Sequence, residues 1–446
     1  MNAKLSVPSV LVGLCCLGIL MAAYMPDDLP LVFVESYGEW SEGRDSDNVA
    51  RVPPCGGHVY HLTRSKIYIY KSNTDSGKLE VVRPTFDSEL DGDQRGSCFS
   101  DDGSTLFTSA MALDVPNVVV VGMRSRDKET GILTRIAVQH GRLLPQPLLT
   151  HIHGICCSGD GRSVYATALV ENLLLSFHRS GDELTLGQIF QDDDSKKVFF
   201  NGDYLPQWIK GAEVIEDMYQ AKALLISPDD RYVYVAAAGD ASLTIFQRDT
   251  TTGRLTLFDR ATEHYNRPEQ KLAGGAPEMG LGDVQALAFS PAADHIYSVS
   301  NGISTFHRDA DTGKVTFVQL IRVGADAIPS LSLAKSVVVS KSGRHVFVAA
   351  TGDSHGHRGA ITIFTRDATT GELKFLKVVD RKEVAGACHL SLSPDGRHLY
   401  VSTCHETLAV FAVNENPSEP APIDPTSTPP ADAPVKTVDK SNKHSD

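Results

Sequence analysis

Cysteine is scarce in this chain, with eight in 446 residues. That is too few for the disulfide-dense scaffolds that stand in for a hydrophobic core. Positive charge is also short: 42 Lys and Arg stand against 55 Asp and Glu, for a net charge of −13. This balance excludes a general nucleic-acid binder, whose affinity comes from neutralised phosphates, and a polybasic membrane-surface protein. No Gly-Lys-Ser/Thr phosphate loop or His-Glu-x-x-His helix occurs. P-loop NTPases and helical metalloproteases are therefore excluded. No Asn-x-Ser/Thr acceptor has x other than Pro, so nothing points to N-glycosylation. At 41% hydrophobic residues the chain is too apolar for a disordered protein.

Both ends differ from the middle. Lys4 precedes an uncharged stretch from Leu5 to Ala23 broken only by Pro8. Residues 1–25 therefore read as a secretory signal or an N-terminal membrane anchor. The expected location is exported: periplasmic, secreted or anchored at the outer face of the membrane. Pro417 to Pro434 carries seven prolines among Ala, Ser, Thr, Asp and Glu, so 416–446 reads as an extended Pro-rich disordered tail.

Between these ends the chain repeats itself. One marker is an apolar run, a Ser, a tight turn and then an aromatic on a new apolar run. It stands at Ser100…Phe107, Ser158…Tyr165, Ser227…Tyr234, Ser290…Tyr297, Ser340…Phe347 and Ser393…Tyr400, with a degenerate copy at Cys55…Tyr60. Ser, Pro, Asp and Gly between two such runs is hairpin chemistry. A second marker, Arg-Asp-x-x-Thr-Gly, stands at 126–131, 248–253, 308–313 and 366–371, with looser versions at 72–77 and near Arg179. Each unit thus holds four short antiparallel strands, A to D. The aromatics lie 47 to 69 residues apart, which suits four-stranded units stretched by loops. Seven units predict an all-β, seven-bladed β-propeller over 26–415. Blade seven lacks a fourth strand before the prolines, and Leu31-Val32-Phe33-Val34 stands unused at the front. Pairing the two would close the ring and remove exposed edges.

These repeats resemble the seven-bladed lactonase family, which includes 6-phosphogluconolactonase-like and carboxymuconate-cyclase-like proteins. Ser-Pro-Asp-Gly-Arg-His-Leu-Tyr-Val at 393–401 is the nearest stretch. The resemblance implies lactone hydrolysis or isomerisation at the tunnel mouth, without a cofactor. His151-Ile152-His153 resembles the family's His-x-His, and His389 matches the His of its Pro-Arg-His. Cys388 stands where the family has that arginine, and Thr403-Cys404 where it commonly has Asn-Glu.

Five residues upstream of each strand A Ser, at the expected mouth, stand Arg95, His153, Lys222, Gln285, Lys335 and Cys388. Three cations and a histidine in one register predict a collar for a small anionic ligand. Facing loops supply Asp240, Asp353 and Glu406, which can partner the cations or orient His153 or His389 as a general base. Cys388 and Cys404-His405 come close across blade seven. The pattern leaves open a disulfide, a soft metal site or two unconnected thiols. The expected activity is that of a lactonase-like hydrolase or cycloisomerase. The alternative is a non-catalytic propeller holding a glycan, peptide or protein partner, such as a cell-envelope component.

Overall fold

A computed structural model describes residues 30–38, 48–63, 66–85, 96–111, 119–140, 152–193, 198–200, 203–205, 209, 211–263, 278–322, 328–352 and 359–415. The export segment 1–25 and the tail 416–446 lie outside the described residues, and so do Arg95, His151 and Asp353. Among the described residues no helix is long and apolar enough to cross a membrane.

Residues Leu31–Glu415 form one compact unit. Seven antiparallel sheets follow one another, over 49–85, 97–140, 152–192, 221–262, 286–322, 334–379 and 387–413. The last supplies three strands, and Leu31–Tyr37 adds the fourth, pairing Leu31 with Val413 and Tyr37 with Leu408. These are the seven blades of a β-propeller. Blade three departs from the expected four strands. The interruption after Gln191 contributes Glu213–Ile215, which pairs in parallel with the outer strand Glu183–Asp192.

The core is divided rather than central. Seven apolar clusters each lie between two neighbouring blades, for example Tyr165, Phe190, Val233 and Phe246 between blades three and four. Ala50, Val59, Tyr400 and Leu408 join blade one to blade seven. Burial on both faces explains why the second strand of blade four, Tyr232–Ala237, is apolar throughout.

The two repeat markers prove to be halves of one joint. In the first, the Ser hydroxyl accepts the amide five residues on and donates to the turn Asp, as Ser158 does with Ser163 (3.0 Å) and Asp160 (2.6 Å). In the second, Asp249 Oδ1 accepts the amides of Thr251 and Thr252. Gly253 closes that turn at φ +73°, where a side chain would be strained, and an added Cβ would collide with Ser163. The joint crosses blades. Tyr165 donates to Gly253 O (2.6 Å) and accepts from Arg248 Nε (2.8 Å) of the next blade. Tyr60 with Arg126, Tyr234 with Arg308 and Tyr297 with Arg366 repeat it. Phenylalanine stands in the tyrosine's place in blades two and six. Phe107 meets Arg179 as a cation–π contact, and Phe347 faces the composite blade seven.

Candidate functional site

All seven inner strands line one cavity of about 520 Å³. The expected collar residues share a geometric device. His153, Lys222, Lys335 and Cys388 are each the extra residue of a β-bulge. Ile152 and Gly154, for instance, oppose the consecutive Ala168 and Thr167. Gln285 is equivalent, since it and Ala286 both face Val299. A bulge re-aims one side chain out of the regular pleat. All five residues line the cavity. Lys222 Nζ donates to Gln285 Oε1 at 2.6 Å, which joins two neighbouring members of the ring.

One residue that sequence reasoning missed belongs here. Arg51, on the inner strand Val49–Arg51 of blade one, lines the cavity with Asn48. Its Nε donates to Ser97 O (2.9 Å) and Oγ (3.0 Å), and its NH1 donates to His389 Nε2 at 2.5 Å. The degenerate first marker concealed it, because with no Ser the alignment fell on Cys55. The available signal was a lone Arg inside Val49-Ala50-Arg51-Val52.

No Asp or Glu is among the described residues that line the cavity, whereas Arg51, Lys222 and Lys335 are. Asp240 and Glu406, expected as carboxylate partners, lie off the lining. Asp240 Oδ2 instead accepts the Tyr219 amide at 2.7 Å, and Glu406 sits in a turn at φ +61°. His389, expected as a base, has its Nε2 lone pair engaged by Arg51, so the ring proton lies on Nδ1. Burial and then the Arg51 charge hold its pKa well below the ordinary histidine value. It is a neutral acceptor, which corrects its assignment as a general base and leaves His153 as the candidate.

The thiol pairing is corrected too. Ala387 pairs with Thr403 and His389 with Ser402, so Cys388 sits in the bulge with no residue opposite. Its Sγ lies 3.2 Å from Asn48 O on blade one. Cys388 and Cys404 are in no disulfide. Among the described residues no three His, Cys, Asp or Glu side chains converge, so Cys388, Cys404 and His405 make no metal site.

No protein-family profile matches the chain, and no curated protein matches it. Solved structures do. A presumptive 6-phosphogluconolactonase of Bacteroides uniformis superposes with a TM-score of 0.58 at 15% identity, over 79% of this chain and 89% of its own. The periplasmic gluconolactonase PpgL of Pseudomonas aeruginosa gives 0.53 at 18% identity, over 75% and 85%. The fold is that of the lactonase-like propellers. Its architecture also serves other chemistry: the hydrazine synthase of Kuenenia stuttgartiensis superposes with 0.54 at 11% identity, over 86% and 99%. At such identities a lactonase-like propeller is established as a shape, and its reaction has to be argued from the cavity.

Proposed function

We propose that this protein is an exported lactonase-type propeller that opens a small anionic lactone in its central cavity. The observation that carries the reading is the composition of the lining: Arg51, Lys222, Lys335 and two histidines, with no carboxylate among the described lining residues. In a chain of net charge −13 such a lining concentrates anions, because a concave, low-dielectric site focuses the field. His153 takes a proton from water as the water oxygen attacks the ring carbonyl. The cations stabilise the oxyanion that forms. Collapse breaks the bond to the ring oxygen, which takes the proton back from the imidazolium. One water is consumed, and near neutral pH one proton is released per ring opened. The uncharged run Leu5–Ala23 supports export.

A second reading, a propeller that binds a glycan, peptide or protein partner without turnover, draws on the same lining. With His389 engaged and no carboxylate among the described lining residues, His153 is the histidine base that the described lining offers. A panel of sugar and muconate lactones, offered in a pH-stat to a chain starting at Met25, separates the two. Base uptake that disappears in His153→Gln supports the enzyme. Binding of a lactone with no base uptake supports the second reading.

A further inference from the structure

Arg51 sits on a level of the tunnel wall that carries no other charge. It opposes Tyr60 on the second strand of its blade. The residues in that position on the other six inner strands are Cys98, Cys156, Leu225, Ala288, Val338 and Ser391. A guanidinium in an uncharged layer is costly unless something offsets its lost hydration. Its hydrogen bonds go to the neutral Ser97 and His389, and no Asp or Glu among the described residues pairs with it. Burial pushes its pKa down to about 10, so it remains a cation at neutral pH.

The two neutral partners fix the guanidinium from different blades. Ser97, on blade two, anchors Nε through both its carbonyl and its hydroxyl. His389, on blade seven, accepts from NH1. Behind His389 lies His61, which is 1% exposed and pushed down by burial to about 4, so no second cation competes at this seam. The arrangement spends one NH1 proton and the Nε proton on positioning. The rest of a planar fork remains, and its paired N–H donors match the two oxygens of a carboxylate.

We propose that Arg51 is the residue that grips a ligand carboxylate in this cavity, with His389 and Ser97 as its positioning residues. The proposal rests on the reading that the cavity takes a small anion, and it names the group recognised and the residue that recognises it. Lys222 and Lys335, at the bulged rim, then contribute attraction rather than the directed contact.

The test is calorimetric titration of the full chain with D-gluconate and, separately, with inorganic phosphate. Arg51→Gln should weaken gluconate at least tenfold, whereas Lys222→Ala and Lys335→Ala should each weaken it less than threefold. Arg51→Lys keeps the charge and loses the fork, so it should still lose severalfold; it carries the test if Arg51→Gln does not fold. His389→Ala should weaken gluconate, and His389→Gln, which restores an acceptor, should recover most of it; a purely structural histidine would not show that rescue. Unchanged gluconate affinity in Arg51→Gln, with losses in the lysine variants, overturns this assignment and leaves the anion site standing. Phosphate binding that depends on Arg51 while gluconate binding does not also overturns it. Failure of both anions to bind the wild type overturns the assignment together with the reading beneath it.

Discussion

Replacing Tyr234 by Phe removes one oxygen from the joint between blades four and five and leaves the packed ring in place. That hydroxyl donates to Gly313 O at 2.8 Å and accepts from Arg308 Nε at 2.7 Å. Tyr234 is fully buried, and burial pushes its phenol up to about 12, so the bond is between a neutral phenol and a cation. Loss of the hydroxyl leaves a carbonyl and a guanidinium N–H without this partner. Each such orphan costs about 1–3 kcal/mol. Arg308 keeps Ala293 O and Asp229, which limits its share. The expected destabilisation is about 3 kcal/mol. For a unit of this length the unfolding entropy is roughly 0.8 kcal/mol/K, so the melting temperature should fall by about 4 °C. Scanning calorimetry reads this directly. Pairing Tyr234→Phe with Arg308→Met should give less than the sum of the single effects, because both variants break the same bond. A variant melting within 1 °C of the wild type would refute the idea that these bonds join the blades.

Three other outcomes follow from the fold. His61 has its pKa pushed down to about 4 by burial, so the unfolded chain binds its proton first. Stability should be flat above pH 6.5 and fall by about 1.4 kcal/mol per unit as pH drops from 6.5 toward 4. His389 acts in the same direction, and a pH-independent melting temperature across that window would contradict both. Gly253→Ala should lower the melting temperature by several degrees, since it combines φ +73° with a collision at Ser163; a silent substitution in a melting scan would show that the turn has an alternative conformation. Deleting residues 31–37 strips the outer strand from blade seven and uncovers Phe411 and Val413. Light scattering should then report association, and a monomer with unchanged melting temperature would show that this strand is dispensable.

The repeat architecture was legible because both markers are local chemistry. A Ser hydroxyl and an Asp carboxylate fold their own turns, whatever surrounds them. The joint between neighbouring units, by contrast, appears only in three dimensions. The bulge register was legible as the markers were, since it lies at a fixed distance from the strand A Ser. Arg51 was not. Its blade carries Pro53 where the others carry Ser, and its partner His389 lies 338 residues away across the seam between the first and last blades. Cys388 and Cys404 misled because counting pairs from the turn assumes a regular ladder, and the bulge at Cys388 breaks it. Blade three's fifth strand was hidden by its parallel pairing inside a loop.

The central claim is that a cavity whose described lining holds cations and no carboxylate selects a small anionic lactone. Its most direct test compares kcat/KM for muconolactone, which carries a carboxylate, with kcat/KM for neutral glucono-δ-lactone, at low and high salt. The account predicts that the anionic lactone is preferred and that its advantage shrinks as salt screens the lining charges, while the neutral lactone hardly responds. Equal values for the two lactones, insensitive to salt, would contradict it.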